Sequence, residues 1–288
     1  MAGAPGGVNL PQRNGEMRLT VTVQAAGKPR GVASMIAKGG QIIGGGTLLV
    51  GDLNYGKLDG TTLISLDNLG LSQITVAGKK VKLGAMVTMA AIAREVGLAF
   101  LHPVANAIGG PAIRSMATVG GNLFAPPPYG DMAAALLALD ATVTLSAGQN
   151  TSILPLTEFL TERGKMAKLV VIGVSFQRPA EGEFRFLKVI RRKPVSAAVI
   201  TIAARIPLKR GRVAGARIAL GGMAPTAIRA IAVEAALEGQ KLDAETIRSA
   251  VASATDGTSP EDDAYASAWY RREILPVHLS RLLAGSSS

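Results

Sequence analysis

The order of apolar and polar positions changes character along the chain. Short apolar-rich runs at Leu63–Leu66, Ile74–Val76 and Val81–Gly84 predict β-strands, and Ala77–Lys80 predicts a hairpin turn between the last two. Thr88–Val96 predicts a helix that Thr88 can cap, because its hydroxyl can accept a backbone N–H of the first turn. A second helix is predicted over Asp131–Leu139, with the strand Ala141–Leu145 behind it. This alternation, from Met17 to about Phe176, has α/β or α+β order. The turn formers Arg178-Pro179-Ala180-Glu181-Gly182 interrupt it and place a domain boundary at Gln177–Glu183. Beyond lie three long β-like runs, Glu183–Ile190, Ala197–Arg205 and Val213–Leu220. A helical section follows, in which Asp243 stands as N-cap to Ala244–Ala254 and Ser259-Pro260-Glu261-Asp262 has the composition of another helix start. The expected organisation is a flexible tail over 1–16, a first domain over 17–177 and a smaller α+β domain over 182–284.

Composition narrows the chemistry. A chain of 288 residues with 48% hydrophobic content can bury a substantial core. Cysteine is absent, so this chain forms no disulfide, holds no iron–sulfur cluster and uses no thiol nucleophile. Only His102 and His278 are available as imidazole ligands, with no HExxH spacing, which argues against a metal site. The formal charge of +11 is spread along the whole length, which favours an anionic cofactor or acidic partners over nucleic acid. Aromatics are only 4%, too few for a base-stacking platform. No apolar stretch of about 18 residues occurs, and the first residues lack the charged-then-apolar order of a signal sequence. A soluble, cytoplasmic protein is expected.

Two glycine loops carry chemical content. Ile42-Ile43-Gly44-Gly45-Gly46-Thr47-Leu48-Leu49 is a β-like approach ending in three glycines and a hydroxyl. Such a loop can turn its backbone N–H groups into one concavity and admit a diphosphate without Cβ obstruction. A glycine triplet after a strand also serves as an ordinary turn, and it is not the GxGxxG of a Rossmann fold. The second loop is Arg114-Ser115-Met116-Ala117-Thr118-Val119-Gly120-Gly121-Asn122-Leu123, followed by Pro126-Pro127-Pro128-Tyr129-Gly130-Asp131. Thr118 and Asn122 offer donors and acceptors; Asp131 can accept from a sugar hydroxyl, stand in the first turn of the following helix, or do both.

The two loops, about 70 residues apart in one α/β domain, resemble those of the molybdenum hydroxylase flavoproteins, the FAD-binding medium subunits of the carbon monoxide dehydrogenase and xanthine dehydrogenase type. Ala117-Thr118-Val119-Gly120-Gly121-Asn122-Leu123 with Asp131 and Ala135-Leu136-Leu137-Ala138-Leu139 is close to the family's pattern. Further likeness lies in Phe186-Leu187-Lys188 before Arg191-Arg192, in Ala219-Leu220-Gly221-Gly222 before Pro225-Thr226 and Arg229, and in Ser267-Ala268-Trp269-Tyr270-Arg271-Arg272. It covers Met17 to about Leu283.

The resemblance implies an α+β fold: a two-part FAD-binding domain of the molybdopterin dehydrogenase type, then a small domain with a three-stranded antiparallel sheet and helices, with FAD between them. It implies that Gly44, Gly45, Gly46 and Thr47 hold the FAD diphosphate with Ile43 and Leu48 packed alongside. Ala117, Thr118, Gly120, Gly121 and Asn122 would lie at the diphosphate and ribityl region, Asp131 at the ribityl or sugar hydroxyls, and Ile108 near the isoalloxazine. Val170 and Val171 match positions near the adenine, and Lys188 a lysine at the flavin's polar edge. No residue of this chain is required as a catalytic acid or base. The implied partners are a molybdenum-binding large subunit and an iron–sulfur small subunit carrying 2Fe-2S clusters, with dimers of heterotrimers. Departures are Gly44 where the family has Ala, Leu48 where it has Asp, and Lys193-Pro194-Val195-Ser196 where an acidic residue precedes an Ala-rich strand. That last change leaves the electron acceptor open.

Other residues have plainer readings. His102 before Pro103 reads as a packed or hydrogen-bonded imidazole. Trp269, at helical spacing with Tyr265, reads as core, and Glu261-Asp262-Asp263 as the acidic first turn of a helix. Tyr129 either braces a ligand or covers its loop. Two rival functions are a stand-alone FAD-dependent oxidase or reductase, and a scaffold or nucleic-acid binder in which the glycine loops are structural.

Overall fold

The computed structural model describes residues 21–57, 62–148, 150–166, 169–193 and 196–285. The tail expected over 1–16, the start of the first domain at Met17, and Pro194-Val195 lie outside these residues.

Three sheets of three or more strands organise the described residues, beside the small ribbon Leu208–Lys209 and Arg212–Val213. Thr22–Ala25 and Gln41–Ile43 flank Thr62–Ser65 in a small parallel sheet. Ile64 of this sheet, Leu66 just beyond it and Val32 of the helix Pro29–Ala37 close a core of their own with Val170. The second sheet has five antiparallel strands in the order Ile74–Ala77, Lys80–Gly84, Val170–Gln177, Thr142–Ala147, Asn150–Pro155. The hairpin expected at Ala77–Lys80 joins its first two strands. The third sheet is antiparallel: Phe184–Ile190, Ala198–Arg205, Arg217–Gly221 and the short Ile228–Arg229.

One helix joins the parts. Asp131–Ala138 (sequence DMAAALLA) is buried at every position, as a segment apolar on all sides must be. Its small side chains let it lie against the third sheet, where Ala203 and Ala219 belong to the same core as Leu136 and Leu137. The opposite face of that sheet, with Ile202, Ala204, Ile218 and Leu220, packs on the helices Ile231–Leu237 and Ala268–Ala284, and the helix Ala244–Val251 packs against those two.

Local signals set several boundaries. Thr88 accepts from the Ala91 N–H at 3.2 Å and caps Met89–Arg94, and Asp243 accepts from the Thr246 N–H at 3.0 Å. The helix expected to run to Val96 stops at Arg94, and Val96–Leu101 continues as 3-10 turns. There the Glu95 carboxylate accepts from the Gly97 N–H at 3.1 Å, a local cap that starts the tighter helix.

Three expectations are corrected. Val213–Leu220 is not one strand: it divides into Arg212–Val213 and Arg217–Gly221, with Gly215 in the left-handed region between them. No helix starts at Ser259-Pro260. Asp263 instead accepts from the Tyr265 and Ala266 N–H groups in a tight turn, and the helix begins at Ala268 with Ser267 as cap. Asp262 still serves that helix, its carboxylate accepting from the Ala268 N–H at 2.5 Å. Trp269 is not core but 68% exposed. The buried residue of that turn is Arg271, whose guanidinium donates to the carbonyls of Val199, Glu261 and Ala266 and to the Asp263 carboxylate.

Candidate functional site

The two glycine loops meet. Ile43 ends its strand beside Ser65, and the chain turns at Gly44-Gly45-Gly46 into the helix Leu49–Asn54. Gly46 sits at φ +69°, where an L side chain is strained. A Cβ on Gly45 would stand 1.5 Å from the Met116 carbonyl oxygen, and one on Gly44 2.9 Å from Thr118 Oγ1. The first loop thus lies directly on the second. Among the described residues, no group accepts a hydrogen bond from the N–H groups of Gly45, Gly46, Thr47 or Leu48, so this run of donors is available to an anion.

Thr118 anchors the second loop. Its backbone bridges to Thr88, its hydroxyl accepts from the Gly121 N–H at 3.1 Å, and its carbonyl accepts from the Asn122 side-chain amide at 3.0 Å. The hydroxyl therefore caps Val119–Phe124 and holds Gly121 and Asn122 in place. Behind this helix, Arg163 donates to the carbonyls of Leu123 at 2.7 Å and Ala125 at 3.3 Å, and reaches Pro225 of the third sheet's connection at 3.5 Å. Burial lowers its pKa, which is the expected cost of desolvating a guanidinium.

Between the loops and the third sheet is a cleft of about 640 Å³, within the range of small-molecule sites. The candidate residues Gly44, Gly45, Gly46, Thr47, Leu48, Ile108, Ala117, Thr118, Gly121, Asn122, Asp131 and Lys188 line it. Four others do not. Ile43 packs its side chain beneath Gly46, and Gly120 faces the Ala85 backbone. Val170 and Val171 are fully or nearly fully buried in two different cores, on a strand paired with Leu145 and Ser146. The structure does not bring those two valines to the cleft.

Asp131 and Lys188 form its charged wall. Asp131 opens the buried helix, where a carboxylate is favoured by the helix dipole. Its Oδ2 accepts from Lys188 Nζ at 2.7 Å, its Oδ1 accepts from the Thr201 hydroxyl, and Lys188 also donates to the Ala107 carbonyl at 2.9 Å. The Lys188 and Asp131 side chains are only 9% and 5% exposed. Tyr129 lines the cleft from the proline loop. A hydrogen bond with Tyr265, burial and the nearby Asp263 charge push its phenol up to about 12, so it is protonated at neutral pH. His102 is hydrogen bonded through Nε2 to the Glu95 carbonyl at 2.9 Å, away from the cleft.

Further lining residues were not among the candidate site residues: Gln41, Ile42, Asp52, Gly109, Gly110, Ile113, Phe124, Ser196 and Ala197. Asp52 lies one helical turn beyond Leu48 and pairs with Lys57 at 3.1 Å, so a carboxylate still stands near the loop that lost one. The Gly109-Gly110 pair before Pro111 was a legible turn signal. Ser196 ends the Lys193–Ser196 departure, and Ala197 opens the predicted strand; neither carried a mark of its own.

Such a site can do two things chemically. The amides of the first glycine loop, which have no acceptor among the described residues, can receive a polyanion, while the Asp131–Lys188 pair presents an acceptor and a cation to polar groups. Among the described residues no helix is long and apolar enough to cross a membrane, and no three His, Cys, Asp or Glu side chains gather as metal ligands.

Comparison with known proteins agrees with this geometry. Residues 22–175 match the model of the FAD binding domain in molybdopterin dehydrogenase, and residues 185–285 that of the CO dehydrogenase flavoprotein C-terminal domain. The chain is 27% identical over 184 residues to the glyceraldehyde dehydrogenase medium chain of Sulfolobus acidocaldarius, covering 62% of this chain and 64% of that one. It is 28% identical to the 6-hydroxypseudooxynicotine dehydrogenase complex subunit alpha of Paenarthrobacter nicotinovorans, over 87% of this chain and 88% of the relative. A chain of quinoline 2-oxidoreductase from Pseudomonas putida 86 superposes with a TM-score of 0.81 at 25% identity, covering 94% of this chain and 98% of that chain. With its FAD-binding domain followed by the flavoprotein C-terminal domain, the chain belongs to the FAD-binding medium subunits of the molybdenum hydroxylase family.

Proposed function

We propose that the cleft holds one FAD between the units 17–177 and 182–284, and that the chain relays electrons within a heterotrimeric molybdenum hydroxylase. The observation that carries this reading is the seating of Gly45 on the Met116 carbonyl, which makes one cradle of two distant loops. The amides of Gly45, Gly46 and Thr47, with the Thr118–Asn122 turn, would hold the diphosphate. Asp131 would accept from ribityl hydroxyls. Lys188 would offer a cation to the polar edge of the ring, where negative charge develops on reduction. Ile108, Ile113 and Phe124 would cover its apolar surface and exclude water. When bound, FAD accepts electrons singly or in pairs and so connects one-electron and two-electron partners.

A chain without cysteine holds no iron–sulfur cluster. The clusters and the molybdenum cofactor therefore belong to partner subunits, the small and the large, and the complex would pass electrons through this chain to an external acceptor. Substrate selection belongs to the large subunit. The test is a titration of the purified chain with FAD, followed by purification of the native complex. The reading expects one flavin per chain, and co-purifying subunits with molybdenum and 2Fe-2S signals. Folded protein that takes up no flavin overturns the cofactor reading. A flavin-loaded chain that by itself oxidises an organic donor overturns the relay reading in favour of a stand-alone oxidase or reductase.

A further inference from the structure

Thr201 lies outside the cleft and is 1% exposed, yet its hydroxyl is spent on a residue of the cleft wall. It sits on the central strand of the third sheet and is the direct cross-strand partner of Lys188. Both side chains leave the same face of that sheet and donate to opposite oxygens of one carboxylate, that of Asp131. Its other neighbour is Gly221, where an added Cβ would stand 3.1 Å from Thr201 Cβ and 3.8 Å from Ala134 Cβ. The missing side chain at Gly221 leaves room for Thr201 beneath the buried helix.

We infer that Thr201 is a positioning residue for the flavin site, acting through Asp131 and Lys188. This rests on the FAD reading of the cleft. A carboxylate has about four lone-pair sites. With one taken by Thr201 and one by Lys188, its plane is fixed and its remaining lone pairs are held toward the cleft. The Lys188 ammonium has three donors: Asp131 and the Ala107 carbonyl take two, and the third is left for the cleft that Lys188 lines. Without the hydroxyl, the carboxylate is free to rotate onto Lys188. It would then neutralise that cation more fully and leave less of its charge for a reduced flavin.

The experiment uses the full chain with FAD as the probe and three variants. Thr201→Ser keeps the hydroxyl, Thr201→Ala differs from it only by that oxygen, and Thr201→Val replaces the hydroxyl by a methyl of similar size. Thr201→Ser is expected to match the parent in FAD affinity and midpoint potential. Thr201→Ala and Thr201→Val are expected to bind FAD about tenfold more weakly, the effect of one lost hydrogen bond to a charged group, and to shift the bound flavin's potential to more negative values. Equal affinity and equal potential in Thr201→Ser and Thr201→Ala overturn the inference and leave the FAD reading intact. Loss of fold in both hydroxyl-free variants, with Thr201→Ser intact, also overturns it, because the hydroxyl would then serve the fold. A parent chain that is folded and binds no FAD removes the premise itself.

Discussion

The carbonyl oxygen of Met116 occupies the space that a side chain on Gly45 would need, 1.5 Å from the position of its Cβ. Residue 45 is thereby restricted to glycine for as long as the second loop keeps its place. Gly45→Ala is expected to separate the loops and weaken FAD binding at least tenfold, or about 1.4 kcal/mol. The adjacent helix provides the control: a Cβ on Gly51 meets nothing within 4 Å, and Gly51→Ala is expected to stabilise that helix by about 0.5–1 kcal/mol. Flavin titration and thermal melting of both variants check the pair. Equal FAD affinity in Gly45→Ala and the parent would remove the argument for a shared cradle.

The Asp131–Lys188 pair should behave as a buried ion pair. Asp131→Asn leaves the ammonium under-compensated and is expected to cost about 3–5 kcal/mol. Adding Lys188→Met is expected to return a large part of that loss, since both charges are then gone. Urea unfolding of the single and double variants measures the coupling, and additive effects would show that the two residues act independently.

Arg163 holds the segment after the second loop by its carbonyls. Arg163→Met is expected to loosen Phe124 and Ala125 at the cleft and to weaken FAD binding severalfold without contacting the cofactor. Equilibrium binding by flavin fluorescence quenching tests this, with unchanged affinity as the contrary result.

The last helix offers a contrast between neighbouring positions. Arg271→Met strands the buried Val199 carbonyl, removes the donor from those of Glu261 and Ala266, breaks the pair with Asp263, and is expected to cost about 3–5 kcal/mol. Trp269→Ala, at a solvent-facing position, should change stability by no more than about 0.5 kcal/mol. A large loss in Trp269→Ala, measured by denaturant unfolding, would mean that this tryptophan packs against something in the isolated chain.

His278 gives a pH dependence. Burial, and then the Arg281 charge, lower its pKa below the usual 6.5, and its Nδ1 is buried with no hydrogen-bond partner among the described residues. The unfolded chain therefore binds this proton at higher pH than the folded one. Stability is undiminished above about pH 6.5 and falls as the pH drops from there through the folded-state pKa. In melts between pH 8 and pH 5, His278→Gln should lose this component of the decline. An identical pH profile in the variant would assign the decline to other groups.

Much of this was legible in the sequence because it depends on contacts a few residues long. The caps at Thr88 and Asp243 each satisfy an amide three residues on, and the glycine triplet and Gly120-Gly121 mark positions where the backbone can approach closely. The family could be named because those motifs stand in order along the chain. What the sequence could not supply is which surfaces face each other. An apolar pair such as Val170-Val171 is satisfied by burial in the core, and only the sheet order sends both side chains there instead of to the cleft. Trp269 and Arg271 share one turn, and helical spacing pointed to the tryptophan as the inward residue; the carbonyls converging from Val199, Glu261 and Ala266 chose the arginine. Thr201 and Asp131 lie 70 residues apart with no motif joining them. Periodicity assigns a residue to a face, but the partner of that face is chosen by packing across the whole molecule, and so the bracket behind the charged wall is a product of the tertiary structure alone.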